Sequence, residues 1–432
     1  MDRKDNKDTT KNENNDFIKE VVKEKKSIKN NLVFKITMVL VTAAAAAFIA
    51  AFVFTMTLPL AKNVAETGDG SSKKINIPED EQMDSQTESS SLPEKQDELS
   101  NEDVQEVPVV VDPAFNIEDY KNLYSDMNEI TEEAKKSIVK VTGVTSSTDY
   151  FDQILENEKS LSGVIIGSNN SSYFILSDYS ILSNVERIQV ELFNGKVVNG
   201  IFQKYDPETN LAVIKINISD IDEDTKKELK PASLGNSLVV NQGDPVIAIG
   251  SRNEASDYIS YGMITSTSEK LSVYDKEYTI FDTNITNSKS ENGILLNLSG
   301  EVEGIIKRSD DATISAYSVS QIKNMIEKLS NNEDRAFLGI KGSDVSASLS
   351  EKTGIPRGIL VVEVKPDSPA MLSGIMENDV IIGIDDQDIL TMLAFQTIMR
   401  QYNSGTNSRV RVMRKEAQGY TEVEFNIQLG EI

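Results

Sequence analysis

The sequence contains no cysteine, no histidine and no tryptophan among its 432 residues. Without cysteine there can be no disulfide, no thiolate nucleophile and no Cys-ligated zinc or iron–sulfur centre. Without histidine there is no imidazole to relay protons, so a Ser-His-Asp or Cys-His mechanism cannot be assembled in cis. His-ligated metals are excluded with it. Positive charge is also scarce: 44 Lys and Arg stand against 69 Asp and Glu, a formal net charge of −25. Such a surface repels phosphate backbones, which argues against nucleic acid as a partner. The length allows two or three domains.

A long hydrophobic run is present. Ile36 to Leu58 carries no charged residue, and only threonines interrupt it. As a helix at about 1.5 Å per residue it is long enough to cross a bilayer core. Lysines 23, 25, 26, 29 and 35 crowd its entry, and an acidic stretch follows its exit. The basic side stays inside, which predicts a single-pass cell-membrane protein with residues 1–35 cytoplasmic and the folded domains outside. The competing reading is a cleavable signal peptide; the long charged lead-in favours an uncleaved anchor. Phe17, Ile18, Val21, Val22, Ile28 and Leu32 lie at roughly helical spacing among the lysines. They suit either a basic amphipathic helix on the inner leaflet or a solvated tail.

Residues 59–116 read as an acidic disordered linker. Between Glu79 and Glu106 eleven acidic residues face one lysine, Lys95. Too little apolar surface is available to offset the chain entropy, and self-repulsion extends the segment.

The stretch 117–330 opens with a helical stripe of Ile117, Tyr120, Tyr124, Met127, Ile130 and Ala134, then changes period. Short β-branched runs such as 162–167, 173–177, 188–193, 211–216, 245–249, 262–266, 278–282 and 302–305 alternate with Gly, Asn, Asp and Ser turns. That pattern predicts an all-β barrel or sandwich closed by a helix over 319–329.

In combination these segments resemble the trypsin-like domain of the HtrA/DegP-like serine proteases. The resemblance is carried by Leu161-Ser162-Gly163-Val164-Ile165-Ile166 and Ile175-Leu176-Ser177-Asp178-Tyr179-Ser180-Ile181-Leu182. It continues through 206–216, which opens Asp206-Pro207, through Gly243-Asp244-Pro245-Val246-Ile247-Ala248-Ile249-Gly250, and through 287–305. Carried over by position, the family's general-base His falls on Ser180 and its orienting Asp on Asn210. Its nucleophilic Ser falls on Glu291, and its oxyanion-hole Gly on Lys289. A hydroxyl is no base near neutral pH, a neutral amide cannot stabilise an imidazolium, and a carboxylate opposes a developing oxyanion. The resemblance therefore implies a degenerate triad and a chain that is not an enzyme. An alternative register makes Ser290 the nucleophile, with Lys289 or Glu291 as base.

The stretch 333–430 has Val361, Val362 and Val364 before Pro366-Asp367-Ser368-Pro369-Ala370, then Asn378-Asp379-Val380-Ile381-Ile382-Gly383-Ile384. A helix over 392–402 and two alternating strands, 408–414 and 421–429, follow. This resembles a PDZ domain. The resemblance implies that Phe337, Leu338, Gly339 and Ile340 form the loop whose backbone N–H groups hold a peptide's terminal carboxylate, the peptide adding as a strand. Lys341 and Arg335 stand nearby as sources of attraction. Asp385-Asp386-Gln387-Asp388 lacks calcium-loop spacing and reads as a solvated turn, so no metal is expected. No phosphate-binding or dinucleotide motif is present, so no cofactor is expected.

The fold class is thus mainly β: one transmembrane helix, a trypsin-like double β-barrel, and a C-terminal PDZ domain of α+β type. The function expected is a membrane-anchored, non-catalytic HtrA-like protein that binds peptides or unfolded-protein C-termini as adaptor, sensor or regulator. The resemblance implies a homotrimer, or a hetero-oligomer with an active HtrA-like protease. The alternatives are a serine endopeptidase with a non-standard site and a purely structural envelope anchor.

Overall fold

The computed structural model describes residues 74–80, 116–148, 154–252, 255–288 and 291–432. The expected membrane segment 36–58 and the amphipathic stretch before it lie outside these. Among the described residues no helix is long and apolar enough to cross a membrane.

Helix α1 (Ile117–Lys135) starts where Asn116 and Asp119 close a reciprocal capping box. The chain then enters a closed six-stranded barrel. Its strands are β1 (Ile138–Thr148), β2 (Ile154–Ser168), β3 (Ser172–Asp178), β4 (Arg187–Glu191), β5 (Val197–Tyr205) and β6 (Leu211–Asn217). After the short helix α2 (Glu223–Glu228), a second closed barrel follows. It comprises β7 (Pro245–Arg252), β8 (Ala255–Val273), β9 (Lys276–Thr286), β10 (Asn292–Leu296), β11 (Val302–Lys307) and β12 (Thr313–Ser318). Closure removes every free sheet edge, which suits runs such as Leu211–Ile214 that are buried on both faces. Helix α3 (Val319–Ser330) buries Val319, Ile322, Met325, Ile326 and Leu329 in a single apolar cluster with residues of both barrels.

The first difference from the sequence reading lies in the segment expected to be disordered. Residues 74–80 are packed: Ile75 and Ile77 belong to the same cluster as α3. Asn331 of the α3 C-cap brackets Ile75, accepting from its N–H and donating to its C=O, both at 2.9 Å. Glu327 accepts from the N–H of Ile77 at 2.9 Å. Two isoleucines at alternate positions form a local strand-like signal too short to stand out beside the acidic tract that follows them.

The long hairpin of β8 and β9 reaches well beyond its barrel. Leu271 pairs with Tyr278, Ser272 with Glu277 and Val273 with Lys276, leaving Tyr274-Asp275 as a two-residue turn. Asp275 sits at φ 62°, a left-handed conformation that Asp tolerates through its short polar side chain.

The last domain begins with β13 (Ala336–Phe337) and β14 (Ile340–Val345). Next come α4 (Ala347–Thr353), β15 (Gly358–Val364), α5 (Pro369–Ser373), β16 (Val380–Ile384) and β17 (Gln387–Asp388). Helix α6 (Met392–Met399), β18 (Asn407–Glu416), β19 (Gly419–Gln428) and β20 (Gly430–Glu431) complete it. The sheet runs β14-β15-β16-β18-β19, and β20 pairs with β13. Leu338, Ile340, Phe395, Val410 and Val412, each 0% exposed, form its core.

Candidate functional site

Gly339 decides the shape of the loop between β13 and β14. It adopts φ +93°, and a Cβ there would lie 2.3 Å from the Cβ of Ser368, so no other residue fits. With this kink the N–H groups of Leu338, Gly339 and Ile340 converge, while the side chains of Phe337, Leu338 and Ile340 are buried below. Successive backbone donors aimed at one point make a nest for an anion.

The anion in that nest is the carboxylate of Asp275, from the tip of the β8–β9 hairpin. Its Oδ2 accepts from Leu338 at 2.6 Å and from Gly339 at 2.9 Å; its Oδ1 accepts from Ile340 at 3.0 Å. In return the backbone N–H of Asp275 donates to the carbonyl of Ile340 at 2.7 Å. Burial pushes the Asp275 carboxyl up to about 6, against the downward pull of the three loop N–H groups and of Lys276.

The rest of the hairpin tip is held by the same face. The Tyr274 hydroxyl donates to Glu363 of β15, which also pairs with Lys341 at 2.9 Å. Lys341 and Lys365 stand over the Tyr274 ring at 4.5 and 5.2 Å. On the α6 side the Gln396 amide donates to the carbonyl of Glu277 at 3.4 Å. The loop residues named from sequence are therefore together. Arg335, offered there as attraction for a carboxylate, points elsewhere: it pairs with Asp206 of the first barrel, and both are buried. Sequence reasoning missed Asp275, because an Asp in a two-residue turn is ordinary local chemistry and carries no trace of its partner 63 residues away.

Of the positions carried over from the protease resemblance, Ser180, Asn210 and Glu291 are described, and they lie along the junction of the two barrels. Ser180 lies in a single turn after β3, and its backbone N–H donates to Asp178 at 2.7 Å. Asn210 donates its side-chain amide to the same Asp178 oxygen at 2.9 Å. Arg308 donates to the Ser180 hydroxyl at 2.6 Å and lies 3.7 Å from Asp178. Ser180 and Asn210 are thus linked through one carboxylate. Glu291 is 2% exposed and directly precedes β10, where Asn292 bridges the barrels by donating to Ser162 O at 2.7 Å. A cavity of about 20 Å³ remains between the barrels, lined by Ser162, Ser177, Asp178 and Asn292 among others; it is the size of one water. Lys289 and Ser290 lie outside the described residues.

The acidic turn at 385–388 is tied into β18. Asp385 accepts from the N–H of Arg409 at 2.7 Å, and Arg409 and Arg411 pair with Asp386 and Asp388.

Two closed barrels followed by this loop-bearing sheet define a trypsin-like peptidase fold with a PDZ domain. Comparison with known proteins agrees: residues 161–305 match a trypsin-like peptidase domain and residues 336–428 a PDZ domain. The chain is 26% identical over 322 residues to the serine protease Do-like HtrB of Bacillus subtilis, covering 67% of this chain and 69% of that one. It is 27% identical over 299 residues to the serine endoprotease DegS of Escherichia coli, covering 66% and 81%. A solved structure named as HtrA-type protease AlgW with decapeptide shares the fold at a TM-score of 0.53. It is 21% identical and covers 71% of this chain and 98% of that one. The chain thus carries a trypsin-like peptidase domain followed by a C-terminal PDZ domain, and HtrA-type serine proteases are among the proteins it is similar to. This corrects the expectation that it is not an enzyme: the relatives are named serine proteases, and the family points to protease activity. Substitutions read against a motif do not outweigh that.

Proposed function

We propose that this protein is a membrane-anchored HtrA-like protein that captures peptides and unfolded chains by their C-termini at residues 337–340. It would serve as adaptor, sensor or regulator on the outer face of the cell membrane. The observation that supports this most is the nest itself: three consecutive N–H groups, shaped by a glycine that nothing can replace, take a carboxylate with both oxygens engaged. Strand β14 and helix α6 flank it as the walls of a strand-adding groove. One solved relative is named with a decapeptide, in keeping with such a role. The anchor at 36–58, and assembly as a homotrimer or with an active HtrA-like protease, belong to the same proposal. The test is binding of a fluorescein-labelled pool of decapeptides, degenerate over Val, Leu, Ile and Phe at the last three positions, to the full chain. The free-acid pool should bind and the C-terminally amidated pool should not; equal behaviour of the two pools overturns the reading.

A second reading, a serine endopeptidase working through Ser290, is favoured by the relatives' names. Hydrolysis of unfolded casein by the full chain that disappears in Ser290→Ala would establish it. Hydrolysis unaffected by that substitution would remove Ser290 from the reaction.

A further inference from the structure

We propose that Asp275 is a built-in ligand of the PDZ loop, so that capture of a foreign carboxylate and docking of the β8–β9 hairpin exclude each other. The inference rests on the reading of residues 337–340 as a carboxylate site, and it adds that the site is already filled from within the same chain.

Three features carry it. Asp275 copies both halves of what a chain terminus offers such a loop. Its carboxylate takes the three N–H groups at 2.6–3.0 Å, and its own N–H donates to the Ile340 carbonyl at 2.7 Å, as the first rung of an added strand would. The occupancy is complete, since Asp275 is 6% exposed and its two oxygens engage all three donors. A second carboxylate cannot enter without expelling the first, because two anions sharing one nest repel strongly. Finally, the contact lies between units that fold on their own cores. The hairpin springs from the second barrel and the loop from the PDZ sheet, so the hairpin tip can leave without unravelling either sheet.

The flanking contacts suit a reversible seat. Tyr274 meets Glu363, and Lys341 and Lys365 cover the Tyr274 ring; all are polar groups at the rim rather than packed core. An incoming peptide inherits the same lysines. The ligand class that competes is therefore an extended peptide with a free α-carboxylate. The peptide's advantage over Asp275 is the length of strand it adds along β14, and the advantage of Asp275 is that its tether makes it intramolecular.

Asp275→Gly is the informative substitution, because glycine accepts the left-handed turn and brings no carboxylate. Asp275→Asn keeps shape and turn and removes only the charge. Two measurements on the full chain are made together. Amide hydrogen exchange over residues 338–340 reports whether the nest is filled, and anisotropy with the free-acid decapeptide pool reports whether it can be filled from outside. We expect faster exchange in Asp275→Gly than in the wild type and at least tenfold tighter uptake of the pool, with Asp275→Asn between them. Unchanged exchange in Asp275→Gly overturns the proposal, as does faster exchange with unchanged affinity. Faster exchange with no uptake by either protein upholds Asp275 as the occupant of the nest and rejects the peptide-capture reading instead.

Discussion

At the scale of single residues, the positions that carry the structure are those with one acceptable chemistry. Gly339 is the clearest. Its φ of +93° lies where L-residues are strained, and the Ser368 Cβ occupies the space a side chain would need. Gly339→Ala should destabilise the PDZ domain by about 2 kcal/mol or more, combining backbone strain with the clash. A urea titration of the full chain followed by tyrosine fluorescence measures it, and an unshifted midpoint would contradict the geometry. Arg335 is the second. Its guanidinium pairs with Asp206, which is 0% exposed and also accepts from the Thr209 N–H and hydroxyl. Replacing Arg335 by Leu leaves that carboxylate buried with its charge uncompensated. We expect a loss of about 3–5 kcal/mol, the usual cost of breaking such a pair from one side. A substitution that proves neutral in thermal unfolding would show that the carboxylate escapes to solvent.

At the scale of elements, the segment 74–80 and helix α3 test one another. Asp80 takes both of its oxygens to the Lys323 ammonium, at 2.9 and 2.7 Å, and accepts from Ser320 at 2.5 Å. Lys323 is 4% exposed. Nearby, burial raises the Glu303 carboxyl above its usual range. Asp80→Ala strands a buried ammonium and should cost about 3 kcal/mol or more. Lys323→Met, which fills the same volume without charge, should cost much less. Chemical denaturation of the two variants gives the comparison; equal losses would mean that the ion pair is a surface contact in solution. This element also shows what the sequence could reveal. The β-runs of both barrels, the closing helix and the PDZ strands were legible, because alternation and turn residues are local and repeat in each element. Ile75 and Ile77 were not, since two alternating apolar residues between Lys73-Lys74 and the acidic tract that starts at Glu79 are too short a run to stand out. Strand β12 (Thr313–Ser318) also escaped, because Thr and Ser dilute its apolar pattern although five of its six residues are buried. The loop at 337–340 could be named from its motif, but its occupant could not, because pairing between a turn and a loop 63 residues away leaves no mark on either.

At the scale of the whole molecule, the ties that reach the PDZ domain include the Asp275 seat and the ion pair between Glu79 and Arg400 at the end of α6. The Asp275 seat responds to pH. Desolvation lifts the seated Asp275 carboxyl to about 6, whereas a free Asp titrates near 3.9. The docked form therefore holds its proton more tightly than the released form. Docking is fully favoured below the free value, weakens as pH rises, and reaches its low plateau above about 6. The charged groups around the seat do not reverse this sign. Lys276 opposes the shift without cancelling it, and burial followed by the Arg335 charge drives Lys276 itself well below its usual range. Between pH 5.5 and 7.5 the linkage weakens docking by about fourfold. Peptide uptake by the wild type should strengthen by about the same factor over that interval, while Asp275→Gly should bind equally at both pH values. Parallel anisotropy titrations at the two pH values decide it. A wild type that binds no better at 7.5, or an Asp275→Gly variant that follows the same slope, would show that some other group governs the exchange between docked hairpin and captured peptide.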